Sequence, residues 1–119
     1  EPLSHRIYAA SDAFLMPSLF EPCGLSQMVA LRYGSIPVVR ETGGLKDSIT
    51  DSGDGKGNGF TFQTYDTQDM LNSVHRAIYA YNESKDGWKV LVERAMACDN
   101  SWGRSANDYI RLYKQLINS

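Results

Sequence analysis

Two short apolar runs set the pattern of the first third of the chain. Ala13-Phe14-Leu15-Met16 has the length and composition of a fully buried strand, and Ile36-Pro37-Val38-Val39 repeats it further on. The stretch between them opens in turn formers, continues as a helix and ends at Gly34, the residue type favoured just past a helix C-terminus. Strand, loop, helix and strand in this order form a unit whose right-handed crossover makes the two strands parallel neighbours. Upstream, Leu3, Ile7 and Ala10 recur at helical spacing, so Pro2 to Ser11 reads as a helix with Pro at its start, and Asp12 turns the chain into the first strand. Downstream, a Gly pair follows the second strand, and Leu45 to Thr50 is long enough for one or two helical turns. Gly59-Phe60-Thr61-Phe62-Gln63 reads as the next strand. Asp66 or Thr67 caps a helix whose stripe is Met70, Val74, Ala77, Ile78 and Tyr81, predicted to cover one face of the sheet. Ser84-Lys85-Asp86 opens another, with Trp88, Leu91, Val92, Ala95 and Met96 as its buried stripe. Asp99-Asn100-Ser101 breaks that helix and caps the last, where Trp102, Ala106, Tyr109, Ile110, Tyr113, Leu116 and Ile117 keep a helical period. The fold class is α/β: a Rossmann-like parallel sheet flanked by helices.

In such a fold, the loop leaving the first strand opens at the carboxyl edge of the sheet, where ligands bind. Glu21, Cys23, Gly24, Leu25 and Ser26 therefore stand at the mouth of a site. Gly24 lets backbone approach a ligand closely, and the N–H groups of the helix's first turn favour an anion such as a phosphate. Glu21 has two readings: it accepts hydrogen bonds from ligand hydroxyls, as acidic residues do with ribose in dinucleotide sites, or it complements the helix dipole. The turn at Thr42-Gly43-Gly44 follows the second strand at the same sheet edge, either as a tight turn only or as a wall of the same site with backbone donors at Gly43 and Gly44.

Composition narrows the partners. The 119 residues are 42% hydrophobic and 22% charged, an ordinary globular balance that bounds the chain to a single domain at most. A net charge of -2 supplies no basic footprint for nucleic acid or an anionic membrane surface. No apolar run reaches the length of a membrane span and no signal segment opens the chain, so it reads as soluble and cytoplasmic. Cys23 and Cys98 form neither a disulfide framework nor a metal site. The Gly-rich stretch from Asp51 to Gly59 invites a calcium reading that fails, because a loop counted from Asp54 puts Lys56 at a ligand position and Tyr65 where the bidentate Glu belongs. A mobile surface loop is expected there instead. His5 and Arg6 read as a solvated or locally paired surface and His75 as inert on the polar side of its helix. The chain opens on Glu1 without a methionine and enters a helix whose preceding strand is missing, which predicts a piece of a longer protein.

Several runs are more specific. His5-Arg6-Ile7-Tyr8, Ala13 to Ser18, Phe20-Glu21-Pro22-Cys23-Gly24-Leu25-Ser26-Gln27-Met28, Ala30-Leu31-Arg32-Tyr33-Gly34, Pro37-Val38-Val39-Arg40 and Thr42-Gly43-Gly44-Leu45-Lys46-Asp47 closely resemble the bacterial glycogen synthase and plant starch synthase family. The resemblance covers nearly the whole chain and weakens across the Gly-rich loop and the helices after it. Wider retaining relatives often carry a second acidic residue eight positions after the first; here that position is Val29, which fits the glycogen and starch synthase variant.

The resemblance implies the later half of the C-terminal nucleotide-sugar-binding domain of a two-domain GT-B glycosyltransferase, with residues 100–119 as a terminal helix packing toward an absent N-terminal domain. It implies transfer of glucose from ADP-glucose to the non-reducing end of an α-1,4-glucan with retention of configuration, without cofactor or metal. Glu21 then orients the donor sugar, and Cys23, Gly24, Leu25, Ser26, Thr42, Gly43 and Gly44 line the donor pocket. The family's basic phosphate-binding residues lie upstream, so the 119 residues alone are expected to be inactive. The expected partners are ADP-glucose, the glucan and the N-terminal domain, with self-association through the terminal helix stripe once that domain is absent. The compartment is the cytoplasm, or the plastid in a plant. A non-catalytic nucleotide- or sugar-binding module, or a related transferase using UDP-glucose or another donor, is the alternative.

Overall fold

The structure, a computed structural model, describes residues 2–19, 25–98 and 102–118. Three parallel strands, β1 (Ala13–Met16), β2 (Ile36–Arg40) and β3 (Phe60–Phe62), lie in the order β1-β2-β3, with Ala13 opposite Ile36 and Val38 opposite Phe60. The helices are α1 (Pro2–Ala10), α2 (Ser26–Tyr33), α3 (Gly43–Ser48), α4 (Thr67–Glu83), α5 (Lys85–Met96) and α6 (Trp102–Ile117), with a 3₁₀ turn at Ser52–Asp54. This is the Rossmann-like parallel sheet flanked by helices that the apolar pattern predicts.

The central strand β2 is buried from Ile36 to Val39, as a continuous apolar run in a parallel sheet should be. It tolerates Pro37 because of its register. The Ile36 N–H donates to the Asp12 carbonyl at 3.0 Å, so the missing Pro37 donor faces the β3 side, just before that strand's pairing begins at Val38. Around β2 gather Leu31 and Ala30 of α2, Leu45 of α3, Ile49, Phe60, Ala77 of α4, and Trp88, Leu91 and Ala95 of α5. Gly34 closes α2 with φ +76°, the left-handed conformation that a C-terminal glycine supplies. A Cβ there would meet Val92 Cγ1 of α5 at 2.9 Å, so this glycine also sets how closely α5 approaches α2.

β3 forms the finished edge of the sheet. The outward N–H of Thr61 donates to Asp51 Oδ2 at 2.8 Å, and its carbonyl accepts from Arg76 at 2.9 Å and from Ser73 at 3.2 Å. These side chains occupy the groups that an additional strand would use. β1 has no such cover: among the described residues, β2 is the strand it pairs with.

Several expectations change. β1 is not fully buried; its residues alternate and Leu15 is 44% exposed, because β1 stands at the sheet edge beside an open apolar cleft of about 280 Å³ lined by Leu15, Val38, Val74, Ile78, Tyr81 and Trp88. Ile78 and Tyr81 are accordingly exposed on the α4 stripe, although Ala77 is buried and Asp66 caps the helix through the N–H groups of Gln68 and Asp69. α3 starts at Gly43, so the Gly pair is its first turn and does not precede it. Met96 is exposed at the end of α5, which Ser84 caps.

The stretch from Asp51 to Gly59 is not a loose loop. Asp51 holds it to Arg76, Thr61 and Gly53, Asp54 accepts from the N–H groups of Lys56 and Gly57, and Gly57 and Gly59 are buried. A Cβ on Gly59 would lie 2.6 Å from the Pro37 carbonyl oxygen, which is why the turn is rich in glycine. The carboxylates that invited a calcium reading are engaged by the protein's own donors. His5, expected at a solvated or locally paired surface, hydrogen-bonds the Tyr33 hydroxyl. The Asp99-Asn100-Ser101 cap lies outside the described residues.

Candidate functional site

The carboxyl edge of the sheet is built from the ends of the three strands and the segments that leave them. The β1 segment runs from Pro17 to the start of α2. Glu21, Cys23 and Gly24 lie on it, outside the described residues; Leu25 and Ser26 complete it. Leu25 is the residue before α2, 71% exposed, and its carbonyl accepts from the N–H groups of Met28 at 3.0 Å and Val29 at 3.1 Å. Ser26 is the first helical residue. The N–H groups of a first turn have no acceptor within their own helix and carry the positive end of its dipole.

The second segment leaves β2. Thr42 has extended backbone and its carbonyl accepts from Leu45 N–H at 3.0 Å; Gly43 adopts φ +48°, and Gly44 follows in the same turn. The two turns are joined through Ser48. Gln27 Nε2 donates to Ser48 Oγ at 3.1 Å, and Ser48 Oγ donates to the Gly44 carbonyl at 2.7 Å. Thus Leu25 and Ser26 on one turn and Thr42, Gly43 and Gly44 on the other are neighbours at one edge, as the order of strands requires.

Two polar residues here escape a reading of motifs. Arg40, the last residue of β2, donates from Nη1 to the Leu19 carbonyl at 2.6 Å, and its guanidinium lies 5.9 Å from the centre of the Tyr65 ring. Its Nε is buried and has no hydrogen-bond partner among the described residues. It brings a permanent positive charge to the edge and ties β2 to the segment that carries Glu21. The signal was its place, a cation ending a buried apolar strand. Gln27 is wholly buried on the face it shares with Ala30 and Leu31, a polar residue at a core position of the helical stripe. Beside Arg40, the β1 and β3 segments enclose a cleft of about 220 Å³ lined by Pro17, Phe62, Tyr65, Asp66, Thr67 and Met70.

The strongly shifted carboxyl stands elsewhere. Burial pushes Asp51 up, but hydrogen bonds from Arg76 and from the N–H groups of Thr61 and Gly53, together with the Arg76 charge, hold it well below the usual carboxylate range. Its bond to Asp51 raises Arg76 despite burial. This pair closes the β3 edge. A cleft of about 740 Å³ lies on that side, where Phe60, His75, Arg76, Tyr79, Trp88 and Arg94 line it; exposed His75 has no part at the carboxyl edge.

Comparison with known proteins bears on what this edge does. Residues 3–87 match the family model of glycosyl transferases group 1. The chain belongs to this family. Within it, this group 1 glycosyltransferase chain is 56% identical over 116 residues to a glycogen synthase of Clostridium beijerinckii, covering 96% of the chain and 24% of the relative. It is 56% identical over 119 residues to a glycogen synthase of Geobacillus thermodenitrificans, covering 98% and 24%. The structure matches the catalytic domain of starch synthase IV from Arabidopsis thaliana bound to ADP and acarbose, with a TM-score of 0.87 and 51% identity over 100% of this chain and 25% of that one. A sucrose-phosphate synthase from Thermosynechococcus elongatus matches with a TM-score of 0.65 and 25% identity over 94% and 27%. The resemblance to glycogen and starch synthases, carried most specifically by the Phe20 to Gly34 run, is borne out. The chain spans about a quarter of the length of these relatives. Among the described residues, no helix is long and apolar enough to cross a membrane.

Proposed function

We propose that the chain is the donor-loop part of an ADP-glucose-dependent α-1,4-glucan glucosyltransferase. The observation that carries this reading is identity above 50% to glycogen synthases and to an ADP- and acarbose-bound starch synthase, extending over 96% of the chain or more. The open edge at β1 and the finished edge at β3 support a sheet continued by further strands on the β1 side, so the 119 residues are part of a nucleotide-sugar-binding domain. The exposed stripe of Tyr109, Ile110, Tyr113, Leu116 and Ile117 on α6 supports the packing of residues 100–119 against an N-terminal domain. Alone, that stripe serves for self-association, and the chain alone is inactive.

In the reaction, the bond between donor C1 and the ADP oxygen breaks and ADP leaves with the electron pair. C1 then joins the oxygen of the 4-hydroxyl at the non-reducing glucan end, whose proton passes to the departing ADP oxygen, and configuration is kept. Glu21 accepts hydrogen bonds from donor sugar hydroxyls and fixes C1; Cys23 lines the pocket. The backbone donors around Gly24, Leu25 and Ser26, at the positive end of α2, hold the diphosphate and stabilise the charge that grows on ADP. Thr42, Gly43 and Gly44 form the facing wall. The test is transfer to glycogen by the full-length protein carrying this chain, with ADP-glucose and UDP-glucose offered separately. Transfer from ADP-glucose is expected. Preference for UDP-glucose would assign another donor, and a folded protein that binds ADP without transferring from either would make it a binding module.

A further inference from the structure

Gln27 is wholly buried, and an amide taken out of water must find hydrogen bonds to offset its desolvation. Its Nε2 reaches Ser48 Oγ at 3.1 Å, and Ser48 passes the link to the Gly44 carbonyl at 2.7 Å. The first turn of α2 is thereby bonded, through one hydroxyl, to the first turn of α3. The same residue of α3 is held through its backbone as well: Asn58 Nδ2 donates to the Ser48 carbonyl at 3.1 Å, while Asn58 Oδ1 accepts the Thr50 N–H at 2.8 Å. A methionine or leucine at position 27 could fill the same space, but apolar contact is non-directional and would leave α3 free to slide or rotate against α2. A buried hydrogen-bonded link is directional and favours one arrangement.

We infer that Gln27 is a positioning residue for donor binding, holding the Leu25-Ser26 turn and the Thr42-Gly43-Gly44 turn at one separation so that their backbone donors converge on the diphosphate. It acts through Ser48 and touches no substrate. The assignment rests on the donor-site reading above. Small displacements of backbone donors matter most where charge develops in the transition state, so the loss belongs to the donor and not to the glucan.

The experiment compares Gln27→Met, Ser48→Ala, their double variant and Ser48→Thr in the full-length protein, with ADP-glucose and glycogen varied separately. Each of the first two is expected to lower kcat/KM for ADP-glucose about tenfold, with the KM for glycogen within about twofold of wild type. The double variant is expected to be no worse than either single one, since both cut the same link. Ser48→Thr keeps the hydroxyl and is expected to retain most of the donor kcat/KM. Unchanged donor kinetics in folded Gln27→Met or Ser48→Ala, or losses that multiply in the double variant, would overturn the assignment while leaving the donor reading intact. If Gln27→Met does not fold, Ser48→Ala decides alone. Wild-type protein that transfers nothing from ADP-glucose overturns the donor reading and this assignment with it.

Discussion

Asp51 shows how much one side chain can organise. It caps the 3₁₀ turn through Gly53, satisfies the outer N–H of Thr61 and pairs with both Nη atoms of Arg76 at 2.9 and 2.8 Å. Its folded pKa is depressed, so its contribution is fully present at neutral pH and is lost as pH falls from the ordinary carboxylate range toward the folded value. Arg76, shifted upward, stays charged across that window. Asp51→Asn should therefore cost about 1–2 kcal/mol at neutral pH, toward the low end because Arg76 is half exposed. It should also flatten the fall of the urea midpoint below about pH 5, and an acid limb as steep as wild type would contradict this. Arg40 gives a kinetic prediction at the same scale. Its bond to Leu19 is a charge-assisted tether on the Glu21 segment, so Arg40→Met should lower kcat/KM of the full-length protein about tenfold with the thermal midpoint changed little. Equal kinetics would remove Arg40 from the edge's machinery.

Among the elements, the strands and helices whose burial depends on local pattern were legible. β2 is an unbroken apolar run because helices cover it, α2 ends where glycine permits φ +76°, and α4 and α5 begin at Asp66 and Ser84 because those side chains accept from the free N–H groups of the first turn. What was not legible depends on partners distant in sequence. The exposure of Leu15 follows from β1 being an edge, and the order in the Asp51 to Gly59 turn follows from Arg76, twenty-five residues away. Nothing local to Gln27 reveals its partner Ser48, twenty-one residues away, and the Thr42 to Gly44 turn is readable as either a plain turn or a wall. Gly34 offers the clearest element-scale test. Gly34→Ala forces a side chain into left-handed backbone and toward Val92 Cγ1 at 2.9 Å, and should cost about 2 kcal/mol by urea denaturation. A variant as stable as wild type would show that the α2–α5 contact gives way freely.

At the scale of the molecule, one sheet edge is closed by side chains and the other, among the described residues, pairs with no further strand, and one amphipathic helix, α6, keeps Ile110, Tyr113, Leu116 and Ile117 exposed. The 119-residue chain by itself should sediment as a concentration-dependent oligomer that Ile110→Lys with Ile117→Lys returns toward monomer; a monomer at every concentration would contradict the expected association. The fold class and the family could be read from the sequence because the strand, loop and helix pattern and the Phe20 to Gly34 run are local. The state of the edges could not, because it depends on which strands stand beside which. At the carboxyl edge the β1 segment, on which Glu21 lies, meets Arg40 at the Leu19 carbonyl and leads into α2. The most direct measurement is the steady-state rate of glucosyl transfer from ADP-glucose to glycogen by the full-length protein, wild type against Glu21→Ala. A fall in kcat/KM of about a hundredfold or more is predicted, with the variant folded as wild type. Transfer undiminished in Glu21→Ala would take Glu21 out of the site and the donor-loop reading with it.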